Sequence, residues 1–146
     1  MLIEAYEFKK CAQAARNFML YLFDQKDIFV ENYSQNRKKS AYLSKTAFTT
    51  ALMYMVKTNE LARDFCDRQG FLLMKALLED CTKNSQIAYN VTCAFWILSF
   101  HPFAIKYFTD YQLGIVEGVT KILDYFNKEK IVRIVLMLFD VSADVN

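Results

Sequence analysis

The stretch NSQIAYNVTCAFWILSFHP, residues 84–102, carries the decision about the fold. Asn84 and Ser85 are residue types whose side chains accept hydrogen bonds from the free N–H groups of a first helical turn. An apolar run follows with no glycine to interrupt it. Pro102 closes the stretch, because proline lacks an N–H and suits only the first turn of a helix. The reading is a helix from Asn84 or Ser85 to about Ser99, then a second, short helix from Pro102 to about Tyr107. The most apolar part, Val91 to Phe100, falls well below the roughly 20 residues that span a bilayer.

The pattern of that helix recurs on either side of it. Ile87, Val91, Ala94 and Phe95 stand 44 residues before Ile131, Val135, Leu138 and Phe139. Phe48, Ala51, Leu52 and Met55 stand 43 residues before Val91, Ala94, Phe95 and Leu98. Met74, Leu77 and Leu78 precede Val119, Ile122 and Leu123 by 45, and Phe65 precedes Phe108 by 43. Ser44, which would align with Ile87, breaks the pattern in the first unit. A period of about 40 to 47 residues with two or three helices per unit marks armadillo and HEAT arrays. Each unit there completes its core by stacking on its neighbour. The expected fold is therefore all-α, an armadillo/HEAT-like α-solenoid of about three repeats of period 43–45.

Apolar residues at three- and four-residue spacing place further helices over Lys45 to Lys57, Glu60 to Arg68, Phe71 to Asp80, Val116 to Phe126, and from Lys130 onward. Gly70 and Gly114 punctuate them, Gly70 being read as the left-handed residue that ends a helix. Near the N-terminus, Phe8, Cys11, Ala12, Ala15, Phe18, Met19 and Leu22 predict a helix over Glu4 to Phe23, and Asn32 to Ser40 reads as a polar loop. The domain reading is residues 1–40 as an unplaced N-terminal helix and loop, and residues 41–146 as the repeat segment.

Composition excludes several function classes. With Gly at 3 and Pro at 1 among 146 residues, the turns of a strand-rich domain are missing. A net charge of +2 does not supply the basic surface of a nucleic-acid binder. The densest basic cluster, Arg37, Lys38 and Lys39, reads as a solvated loop. Glu4 and Glu7 interrupt any signal-peptide core, so the chain is expected to be soluble and cytosolic, without direct membrane insertion. Cys11, Cys66, Cys81 and Cys93 form no CxxC and lack a second histidine to complete a zinc site, so they read as reduced, buried, small apolar residues. The one histidine, His101, sits at a helix boundary and reads as a local hydrogen-bonding residue. The glycines are too far apart for a phosphate-cradling loop, and the acidic residues lack calcium-loop spacing. Asn90-Val91-Thr92 matches a glycosylation acceptor but lies inside an apolar helix. Trp96, among Phe95, Ile97 and Leu98, reads as core more readily than as an interface anchor. No enzyme activity, cofactor or small-molecule ligand is expected.

The run Ala94-Phe95-Trp96-Ile97-Leu98-Ser99-Phe100-His101-Pro102 resembles the "IWLLxFxP" segment of the H subunit of the vacuolar-type proton ATPase (V-ATPase). Leu113-Gly114-Ile115-Val116 and Ile122-Leu123 are similar to that family's "NIIPVLSDIL" stretch. Lys128-Glu129-Lys130-Ile131-Val132-Arg133-Ile134 resembles its "KEKVTRI". Ala41 to Glu60, ending in Asn59-Glu60, is similar to the helix before this region. The matches keep one order and cover roughly residues 41 to 140.

The resemblance implies the later part of the family's N-terminal helical-repeat domain. It further implies a non-catalytic subunit of the ATP-hydrolysing sector that docks on the peripheral stalk and helps couple hydrolysis to proton transport. It places the chain at the cytoplasmic face of vacuolar, endosomal or lysosomal-type membranes, with other V-ATPase subunits as partners. Lys128, Glu129, Lys130 and Arg133, in the most recognisable run, are the interface candidates. The alternative is a generic armadillo scaffold. Such arrays repeat a Trp followed four residues on by Asn, whereas Trp96 is followed at that distance by Phe100. One expectation comes from the last helix alone. From Ile131 to Val141 only Arg133 and Asp140 are charged, so another repeat or a partner protein is expected to cover it.

Overall fold

The computed structural model describes residues 45–143 together with Gln13 and Asn17. The expected helix over Glu4 to Phe23, the loop to Ser40, the Arg37–Lys39 cluster and Cys11 otherwise lie outside the described residues. The chain divides into two units, residues 1–38 and 39–146. Of the first, the side chain of Gln13 donates to Asn17 Oδ1 at 2.9 Å, one helical turn away.

In the second unit the described residues form seven α-helices and one 3-10 turn, and no strand. They are α1 (Lys45–Met55), α2 (Asn59–Asp67), α3 (Gly70–Cys81), α4 (Ser85–Ser99), the turn Pro102–Ala104, α5 (Ile105–Phe108), α6 (Ile115–Tyr125) and α7 (Glu129–Ala143). This all-helical architecture agrees with the α-solenoid expected from the repeat. The limits follow from local chemistry. Asn84 caps α4, its side chain accepting from the N–H groups of Gln86 and Ile87. Pro102 opens the 3-10 turn.

One boundary departs from the expectation. The left-handed residue before α3 is Gln69, with φ of 62°, not Gly70. Gly70 is the first residue of α3 and is there for space: a Cβ would meet three ring atoms of Phe65 at 2.5 to 2.6 Å. Forty-five residues on, the corresponding N-cap of α6 is Gly114, also at φ 62°. The same backbone bend is thus made with a glycine in one place and with a side chain in the other.

α4 is the central helix. It packs against α1, α3 and α7; α3 packs in turn on α6, and α2 on the 3-10 turn. Helices 43 to 45 residues apart in sequence therefore lie against each other. Burial follows the same offsets at most of the aligned positions, Ala51, Leu123 and Phe139 being half-buried. Phe48, Val91 and Val135 are fully covered, as are Leu52 and Phe95, and Met74 with Val119. Where α2, α3, α4 and α5 converge, Phe71 stacks on Tyr107 with centroids at 4.8 Å, meets Phe108 edge-on at 5.0 Å and touches Phe95 at 5.8 Å. Burying a side chain of this kind contributes about 1.5–3 kcal/mol.

Polar side chains also join helices across the period. The amide of Asn90 on α4 donates to the Thr50 and Thr49 hydroxyl oxygens on α1, at 2.9 and 3.1 Å, and its oxygen accepts from Gln86 at 3.0 Å. Lys45 at the start of α1 pairs with Asp80 near the end of α3 at 2.7 Å. Asn90 and Thr92 are both buried, which keeps the acceptor-like triplet out of reach in the folded chain.

Candidate functional site

The four interface candidates gather at the start of α7. Lys128 directly precedes the helix, and Glu129 and Lys130 are its first two residues, with Arg133 one turn on. All four are exposed. Lys128 is tied across the repeat, its Nζ donating to Ser85 Oγ at 2.8 Å, so it bridges the first turns of α4 and α7. Glu129 and Arg133 form an i,i+4 ion pair on the outer surface. Both are mostly exposed, so the pair adds little stability. Glu129 also sits where the helix dipole favours a negative charge. Lys130 projects about 100° around the helix from Glu129. The group is an exposed, mixed-charge surface.

His101 lies elsewhere, at the end of α4. Its Nε2 is 3.0 Å from the Val56 carbonyl, so the ring links the ends of α4 and α1 by donating from that nitrogen. The ring stacks on Phe103 at 5.2 Å, and the Arg63 guanidinium lies 4.4 Å from the centre of the Phe103 ring. The thiols of Cys66, Cys81 and Cys93 are free and buried. Burial pushes those of Cys66 and Cys81 up to about 12 and raises that of Cys93. At neutral pH they are protonated, and a protonated thiol is neither a nucleophile nor a metal ligand. Among the described residues, no group of three or more His, Cys, Asp or Glu side chains could hold a metal ion. No single described helix is long and apolar enough to cross a membrane.

The sequence motifs do not mark the apolar part of the surface. Trp96 is half-buried rather than core, packing edge-to-face at 5.5 Å on Phe100, which is 60% exposed. Tyr54 on α1 is also exposed, with the Lys57 ammonium 4.3 Å from its ring centre. On α7, Ile131, Ile134, Val135 and Leu138 are buried while Leu136 and Met137 face solvent. The apolar circumference of that helix is the sequence signal, but it does not say which side is covered.

Comparison with known proteins gives this helical surface a family. A sequence model described as the H subunit of the V-ATPase matches residues 6–141. The match takes in most of the first forty residues, which the motifs leave unplaced. A probable V-type proton ATPase H subunit from Caenorhabditis elegans, the one numbered 2, is 28% identical over 111 residues, 76% of this chain. The chain spans 23% of that relative's length. No solved structure matches it. With the family model covering all but its first five and last five residues, the chain belongs to the V-ATPase H-subunit family, in the N-terminal domain.

Proposed function

We propose that this chain acts as a non-catalytic, structural and regulatory subunit of the vacuolar-type proton ATPase. In this reading it docks on the peripheral stalk and helps couple ATP hydrolysis to proton transport, at the cytoplasmic face of vacuolar, endosomal or lysosomal-type membranes. The observation that carries the reading is the family match over residues 6–141.

The physical character of the molecule supports it. Helices that stack on their equivalents 43 to 45 residues away suit an armadillo/HEAT-like array of about three repeats. Such an array offers a long, stiff surface rather than a pocket. A part that must resist torque needs a large rigid interface, and a rod-like stalk is a partner of matching shape. Lys128, Glu129, Lys130 and Arg133 are the proposed contacts: exposed, clustered at one helix start and with little role in stability. The partners are other V-ATPase subunits of the stalk and the hydrolysing sector, and neither nucleic acid, a small molecule nor direct insertion into lipid belongs to the function. The generic-scaffold alternative has no comparable observation behind it.

The test is affinity purification of the tagged full chain from cells, with mass spectrometry of what comes with it. Peripheral-stalk and ATP-hydrolysing subunits are expected, and they should diminish when Lys130 and Arg133 are both changed to Glu. Reproducible recovery of unrelated proteins without any V-ATPase subunit would overturn the reading.

A further inference from the structure

Stepping 44 residues from α4 to α7 takes Ser85 to Glu129, and each is the first residue of its helix. The later repeat thus carries a carboxylate at the position where α4 carries a hydroxyl. Glu129 has its cation in Arg133, one turn on. Ser85 has Lys128, whose Nζ donates to its Oγ at 2.8 Å from across the repeat. The helix does not use that hydroxyl as its cap, because the side chain of Asn84 accepts from the N–H groups of Gln86 and Ile87. Ser85 is partly exposed and directly follows Lys83 and Asn84, which are exposed in the short link from α3. A cation therefore already stands on a reachable hydroxyl, at a position where the repeat elsewhere holds a negative charge.

We propose that Ser85 is a phosphorylation site and that its phosphoryl group clamps Lys128 onto α4. The co-substrate is the nucleoside triphosphate of a protein kinase. The Oγ–H bond of Ser85 breaks, its proton passing to the kinase's base, as Oγ bonds the terminal phosphorus. The bond from that phosphorus to the bridging oxygen breaks, and its electron pair leaves with the nucleoside diphosphate. The product carries about −1.5 to −2 charges at neutral pH and three acceptor oxygens. Lys128 Nζ, already on the Oγ, comes within reach of those oxygens, and a bond between two charged groups replaces one to a neutral hydroxyl. Glu129 adjoins Lys128 but is engaged with Arg133. The clamp ties the starts of α4 and α7 more firmly. It also neutralises Lys128, one of the four proposed docking contacts. That second effect rests on the proposed function; the modification and the clamp do not.

Mass spectrometry of the tagged full chain, isolated from cells with phosphatase inhibitors, tests whether the site is used, and phosphate on Ser85 is expected. The full chain with phosphoserine incorporated at position 85 tests what the group does. Its melting temperature should exceed that of the unmodified chain by about 2–4 °C, and Lys128→Gln should remove most of the gain. Its recovery of V-ATPase subunits from cell extract should fall about 3- to 10-fold. Ser85 found without phosphate in cells, a gain in melting temperature that survives Lys128→Gln, or a modified chain that recovers subunits as well as the unmodified one would each overturn the inference. An unmodified chain that recovers no V-ATPase subunit would instead overturn the functional reading, and the phosphate mapping and melting temperatures would still decide the site and the clamp.

Discussion

Replacing Asn90 with Asp tests the buried bridge between α1 and α4 most sharply. Asn90 is 1% exposed, and its amide donates to the hydroxyl oxygens of Thr49 and Thr50. Those two hydroxyls already donate to backbone carbonyls, Thr49 to Lys45 at 2.9 Å and Thr50 to Thr46 at 2.8 Å. Asn90→Ala therefore leaves neither hydroxyl without an acceptor. It loses neutral bonds contributing about 0.5–1.5 kcal/mol each and opens a small void, about 2–3 kcal/mol together. Asn90→Asp keeps the shape but turns a donor into a carboxylate facing oxygens whose protons point elsewhere. A buried charge with the Gln86 amide as its one donor costs several kcal/mol, so the carboxyl is pushed above its usual value of about 3.9. With the folded value raised, the native state holds the proton longer than the unfolded chain. The variant's stability is highest below about 3.9 and falls by about 1.4 kcal/mol per pH unit until the folded value is passed. Urea unfolding followed by circular dichroism at about pH 5 and pH 7.5 measures this, with each variant referred to wild type at the same pH. The expected result is that Asn90→Asp resembles Asn90→Ala near pH 5 and is clearly worse at pH 7.5. A gap to wild type that does not change with pH, or an Asn90→Ala loss below about 0.5 kcal/mol, would refute the bridge.

Gln69→Gly should stabilise the chain by about 0.5–1 kcal/mol, because a side chain at φ 62° is strained and the equivalent position holds Gly114; a rise in melting temperature checks it. Gly70→Ala should destabilise by about 1–3 kcal/mol, since the new Cβ meets the fully buried ring of Phe65, and thermal unfolding reads the loss. Cys66 and Cys81, with thiols pushed up to about 12, should resist iodoacetamide at about pH 8 in the folded chain and react on unfolding, as peptide mass spectrometry would show. Their raised values add stability that is complete below about 8.5 and is lost as pH rises towards 12, so alkaline denaturant titrations should show a steady decline over that window. Lys130→Glu with Arg133→Glu should weaken recovery of V-ATPase subunits while leaving the melting temperature unchanged, because both residues are exposed.

Much of the fold was legible from residues close together in the chain. Asn84 and Pro102 bound helices by local hydrogen bonding and ring geometry, and the structure sets α4 between them. The apolar residues spaced at 43 to 45 named the helices that pack together, because a stack of similar units repeats the demand for the same buried positions. The short runs around Trp96 and Lys128 carried the family, and the exposure of Lys128, Glu129, Lys130 and Arg133 agreed with their charged, helix-starting positions.

Other features depended on contacts that no apolar pattern weighs, five residues back at Gly70 and some forty at Asn90 and His101. A glutamine in the left-handed region at position 69 is unfavourable by itself; the glycine beside it is taken up by the approach of Phe65. Asn90 looked like a misplaced polar residue in an apolar helix until Thr49 and Thr50 were set against it. His101 finds its partner at Val56, 45 residues back. The apolar residues of α7 could be counted in the sequence. Their division into a buried row of Ile131, Ile134, Val135 and Leu138 and an open one with Leu136 and Met137 could not. Hydrophobicity measures only how strongly a side chain avoids water, and it is the packing of α4 and α6 on α7 that decides which side obtains the shelter.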